Sequence, residues 1–104
     1  MLAKANAIIQ MQSPRKLQIE LWDVDVLVDD KIQSQEISDS GPVEFLFSVS
    51  DTGEINPELQ LRVVDEDGNI LLKSRINSEI NSAQINDITG FIEKTTIDFG
   101  VITI

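Results

Sequence analysis

Apolar and polar positions alternate along most of this chain with the two-residue period of a strand that buries one face. The alternation is cleanest in Leu17-Gln18-Ile19-Glu20-Leu21 and in Val43-Glu44-Phe45-Leu46-Phe47-Ser48-Val49. Leu59–Val64 carries it again, and Ala5–Met11, Ile70–Ser74 and the β-branched Thr96–Ile104 add three further strands. Lys31–Ile37 is mostly polar and reads as an edge strand. Turn chemistry separates these runs. Ser13-Pro14-Arg15-Lys16 and Asp39-Ser40-Gly41-Pro42 are turns. Asp51–Pro57 is a loop, and Asp65-Glu66-Asp67-Gly68-Asn69 is a hairpin tip, because Asp-Gly accepts the positive φ of a tight turn. Residues 76–95 have weak periodicity, which leaves a long loop, one more short strand or a helical turn near Ile80–Ile88 open. The pattern predicts an all-β fold, a seven- to eight-stranded antiparallel two-sheet sandwich. The phase is imperfect, since Ile8, Leu46, Leu71, Ile102 and Ile104 fall off the inward set. They form a second apolar surface unless a bulge shifts the phase or residues 76–95 cover them.

Length and composition narrow this further. The 104 residues suit one domain spanning 1–104, with no linker and no repeat. No apolar run is long enough for a transmembrane helix. The start, Met1–Ala7, lacks the long apolar stretch of a signal peptide, which gives the expectation of a cytoplasmic or non-classically exported protein. Cys, His and Tyr are all absent. That removes disulfides, thiolate and imidazole metal sites, Cys nucleophiles and Ser-His-Asp triads. Ser and Thr have no imidazole to activate them, so no enzymatic activity is expected. The formal charge is −10, and fourteen of the eighteen acidic residues fall in residues 20–67, against only Lys31 and Arg62. Such a surface repels nucleic acid. It also repels anionic lipid unless a cation bridges the two.

One acidic stretch stands out: Trp22-Asp23-Val24-Asp25-Val26-Leu27-Val28-Asp29-Asp30. Carboxylates crowded at a strand end repel one another unless neutralised. Ca²⁺, which takes six to eight oxygen ligands, is the natural candidate for Asp23, Asp25, Asp29 and Asp30. Asp23 and Asp25 share a face if the strand continues through them. The alternative is a solvated turn whose Asp side chains accept from nearby backbone N–H groups, with Asp29 or Asp30 paired to Lys31 or Arg62. Trp22 falls on the face opposite Leu17, Ile19 and Leu21. A Trp outside the core points to a contact surface. The carboxylates of Asp65 and Asp67 are read as hairpin chemistry rather than as an acid/base pair.

These residues carry a resemblance. The run Leu17-x-Ile19-x-Leu21-Trp22-Asp23-x-Asp25, followed by Asp29-Asp30-Lys31-Ile32, resembles the transthyretin-like (prealbumin-like) sandwich. Asp39-Ser40-Gly41 before Val43-Glu44-Phe45, Asn56-Pro57-Glu58-Leu59, the Asp67-Gly68 hairpin and the closing Ile97–Ile104 keep the same order. The likeness covers about residues 5–75 and 96–104. The acidic run is also similar to the third calcium loop of C2 domains, although Gln33 stands where those domains usually have Gly. A C2-like site would need further Asp from another loop, with Asp65 and Asp67 or Asp51 as the choices. The transthyretin-related 5-hydroxyisourate hydrolases work with His, Arg and a C-terminal Tyr-Arg-Gly-Ser, none of which fits a chain without His or Tyr that ends in Ile104.

The resemblance implies a non-catalytic interaction or assembly module, binding a protein partner or itself, with calcium as an optional stabiliser. The alternative it implies is a calcium-dependent, C2-like membrane or ligand binder. A small-ligand carrier is the third reading, with no ligand indicated.

Overall fold

The computed structural model describes residues 2–52, 57–78 and 96–104. Seven strands are present among them: β1 (Leu2–Gln10), β2 (Leu17–Asp23), β3 (Asp30–Ile37), β4 (Gly41–Ser48), β5 (Leu59–Val64), β6 (Ile70–Lys73) and β7 (Thr96–Thr103). One sheet has the order β4-β1-β7 and the other β3-β2-β5-β6. The expected two-sheet sandwich is therefore present. It departs from the expected antiparallel pattern at one place, where β1 and β7 run parallel. Most of the ambiguous segment 76–95 lies outside the described residues. Asn77 within it forms a bridge to Leu59.

The core lies between the two sheets. β1 contributes Ala3, Ala5 and Ala7 at the centre of its sheet, and its neighbours supply bulk beside them. Ala3 stands opposite Phe47, and Ala5 opposite Phe45 on one side and Ile97 on the other. Alternating small and large residues across facing positions fills the space without voids. Across the gap, β2 offers Leu17, Ile19 and Leu21, and β5 offers Leu59, Leu61 and Val63. Each such buried aliphatic or aromatic side chain contributes about 1.5–3 kcal/mol of transfer free energy.

The second apolar surface dissolves in part. Asn6 pairs with Asp98 but Ile8 pairs with Val101, so β7 spends one extra residue there. Gly100 takes φ +75°, which an L side chain resists, and its N–H donates to Asp98 Oδ1 at 2.7 Å. After this bulge the phase flips. Ile102 becomes buried and Ile104 packs against the core, while Val101 turns out. Ile8, Leu46 and Leu71 stay exposed.

Both seams of the sandwich are closed by side chains. Gln33 and Gln35 pair with Leu21 and Ile19, so they share the inward phase at the edge of their sheet. Their amide nitrogens donate to the carbonyls of Leu46 and Glu44 on β4, each at 2.6 Å. Positions 42, 44 and 46 turn their backbone groups away from β1, by the alternation of an antiparallel ladder. Pro42 has no N–H to offer there. At the opposite seam Arg75 Nη2 donates to the Asp98 carbonyl of β7 at 2.9 Å. Edges blunted in this way are poor templates for pairing with another strand.

The packing against β1 is directly testable. Ala5→Leu should lower the unfolding free energy by about 1–3 kcal/mol through overpacking against Phe45, measured by urea denaturation, with the β-sheet circular dichroism retained.

Candidate functional site

The β2–β3 connection is built from the acidic stretch, and its shape follows from where β2 stops. Asp23 ends the strand on the inward phase and is 2% exposed. Val24 extends the path briefly, donating its N–H to the Glu58 carbonyl at 2.7 Å. The chain then leaves the sheet. Asp25 accepts the Val26 N–H on Oδ1 at 2.6 Å. The Asp25 N–H donates to Asp29 Oδ1 at 3.1 Å, which ties the two ends of the loop together. Between them Val26, Leu27 and Val28 are 96%, 91% and 63% exposed. Three consecutive aliphatic residues in water are unusual for a purely structural loop.

Asp29 also fixes the loop to the sheet. Its Oδ2 accepts from Arg62 Nη2 at 2.7 Å. Arg62 lies on the outer face of β5, yet its side chain is only 7% exposed. The guanidinium stacks over the Trp22 ring, 4.3 Å from the centroid. That is well inside the ~6 Å reach of a cation–π contact, worth about 2 kcal/mol when desolvated. Arg62 Nε donates to Gln60 Oε1 at 3.0 Å, and Gln60 in turn donates to the Ser74 carbonyl at 3.0 Å. Trp22 Nε1 donates to Glu20 Oε1 at 3.0 Å, and Lys31 approaches Glu20 Oε2 at 3.5 Å. A buried cation is tolerated only when paired and hydrogen-bonded, and this network supplies both conditions.

The sequence-predicted site residues are thus separated in role. Asp23 and Asp25 do not share a face, because the strand ends between them: one is buried and the other exposed. Asp29 is committed to Arg62 and to the Asp25 N–H. Asp30 opens β3, exposed, opposite Asp23 in the ladder. Among the described residues no three carboxylates are grouped to hold a metal ion. In this arrangement the donor set does not fit a calcium shell, since one member faces inward and another is neutralised by Arg62. Asp65 serves the hairpin, accepting N–H groups from Asp67 and Asn69 at 2.9 and 2.8 Å.

Trp22 falls outside the core, as the alternation predicts, but is half-buried, with Arg62 over its ring. The pairing of Asp29 with Arg62 is one of the alternatives that the sequence offered. The Val26-Leu27-Val28 tip was missed by sequence reasoning although its signal was present: three aliphatics bracketed by Asp cannot all be buried by a period-2 strand.

No protein-family model and no curated protein matches this chain. Among solved structures, it is similar to a 9R-lipoxygenase from Cyanothece PCC8801, with a TM-score of 0.58 and 22% identity. That likeness covers 99% of this chain but only 16% of the lipoxygenase. It supports the two-sheet β-sandwich as a shared fold, and carries nothing of the enzyme's activity.

Acid should release the loop anchor. Arg62 first, and the Asp25 N–H next, hold the Asp29 carboxyl below the usual carboxylate value. A depressed folded-state value stabilises fully above the unfolded Asp value of about 3.9 and is lost as pH falls through the folded value. Asp29→Asn should therefore be less stable than the wild type at neutral pH. The two should converge on acidification below about pH 4, followed by denaturant midpoints and by the fluorescence of Trp22.

Proposed function

We propose that this chain is a non-catalytic β-sandwich interaction module, binding a protein partner or another copy of itself through the β2–β3 loop. The observation that carries this is the near-complete exposure of Val26 and Leu27 on a loop whose ends are hydrogen-bonded to each other and, through Asp29, to Arg62. Ordering a loop before it binds removes part of the entropic cost of association. Here Asp29 and Arg62 have met that cost in the fold. The absence of His and Cys from the sequence supports a non-catalytic role. The order of motifs along the chain supports a transthyretin-like version of the sandwich, a family in which such domains serve as interaction modules.

A second reading is favoured by the same tip. An aliphatic triplet at the end of a sandwich is suited to enter a lipid surface, as the C2-like resemblance implies. The carboxylates around it oppose an anionic membrane unless calcium intervenes. Calcium binding would require Asp29 to give up Arg62, so the metal reading predicts a change in Trp22 fluorescence on adding calcium.

Val26→Ser/Leu27→Ser tests the module directly. Both residues are exposed, so stability should stay within about 0.5 kcal/mol of the wild type. Proteins retained by the immobilised wild type should be lost with the variant. Equal retention by both would remove the loop from the account. Co-sedimentation with phosphatidylserine vesicles, with millimolar calcium and with EDTA, separates the membrane reading. Calcium-dependent pelleting that needs Val26 and Leu27 would favour it over the protein-binding one.

A further inference from the structure

The β2–β3 end of the molecule carries more acid than its own bases neutralise. Lys31 pairs with Glu20, and Arg62 with Asp29. Asp25, Asp30 and Glu58 are exposed and make no ion pair among the described residues. Glu58 belongs to this group because its carbonyl accepts the Val24 N–H beside the loop. Asp30 stands opposite Asp23, where the loop rejoins the sheet. Lys73, across from Arg62 on β6, also acts on Asp29. One such cation does not offset three exposed carboxylates. Within this collar stand Val26, Leu27 and Val28, all exposed. An apolar tip in a negative collar selects its contacts twice, by apolar surface and by sign of charge.

We propose that the partner of the β2–β3 loop is a basic amphipathic segment of another protein. Its large apolar side chains cover Val26, Leu27 and Val28, while its Lys or Arg side chains face Asp25, Asp30 and Glu58. This rests on the β2–β3 loop being the contact element, and names the chemistry of what it contacts. Charge decides between the occupants. An anionic lipid surface is repelled by the collar. A second copy of this chain brings a net charge of −10 to the contact, which sets acid against acid. Of the three, a basic segment gains from both the tip and the collar. Three side chains bury far less than the ~1,200 Å² of a stable complex. The contact is accordingly weak and quickly reversed, and its formation is steered by charge and slowed by salt.

Selection from a phage-displayed random peptide library on the immobilised protein supplies the probe. The enriched peptides should combine Lys or Arg with large apolar residues. A synthesised consensus peptide is then titrated by fluorescence anisotropy against the wild type, Val26→Ser/Leu27→Ser and Asp30→Asn/Glu58→Gln. All four substituted residues are exposed, so both variants should fold. The tip variant should lose about tenfold in affinity, the equivalent of one covered aliphatic side chain. The charge variant should lose several-fold at ~0.01 M salt and little at ~1 M, as the screening length falls from ~30 to ~3 Å. Enrichment of uncharged or acidic apolar peptides that need the tip would overturn the basic partner and leave the loop as the contact element. A library that yields no tip-dependent peptide would overturn the proposal too. Peptides held equally by the wild type and the tip variant would remove the loop reading with it. Tip-dependent sedimentation with phosphatidylcholine vesicles in EDTA, without any basic peptide enriched, would overturn it in favour of a lipid surface.

Discussion

Arg62 is the residue on which the β2–β3 end of this molecule depends. It sits in the central strand β5, on the outer face of its sheet, where a long cation would normally reach into water. Instead its guanidinium lies over the Trp22 ring, pinned by Gln60 and by Asp29. Burial makes its pairing obligatory, since an uncompensated buried charge is strongly destabilising. The Asp29 carboxylate that satisfies it also accepts the Asp25 N–H. One carboxylate thus joins the sheet to both ends of the loop, and the three aliphatic residues between those ends have little freedom to fold back.

The same economy runs along the seams. Polar side chains at inward positions of edge strands usually signal strain. Gln33 and Gln35 avoid it by spanning to β4 carbonyls that would otherwise face solvent. These bonds close the sandwich laterally between β3 and β4. One end is acidic with a projecting tip. The other holds a shallow cleft lined by Met11, Gln12, Ser13, Arg15, Leu17 and Ile104.

Much of the fold was legible in the sequence because local alternation decides it. β2 and β4 bury the residues that their period-2 pattern selects, and Asp67-Gly68 makes the hairpin turn, whereas β5 is buried at every position. The phase switch in β7 was not legible, because a bulge at Gly100 adds one residue and inverts every later side chain. The parallel pairing of β1 with β7 joins the two ends of the described chain, and no local pattern encodes it. The acidic stretch was legible, and so was the pairing of Asp29 with Arg62. Carboxylates counted along the sequence suggest a common ion. In space Asp23 turns inward, Asp25 accepts the Val26 N–H and Asp29 meets Arg62, so the carboxylates take different partners. What the stretch offers outward is its aliphatic centre.

Backbone order parameters for Asp25–Val28, measured by ¹⁵N relaxation, test this most directly. With Arg62 in place the loop should approach the ~0.85 of rigid backbone, and in Arg62→Met it should fall below ~0.6, with β2 and β5 unchanged. A loop already mobile in the wild type, or equally rigid without Arg62, would contradict the account.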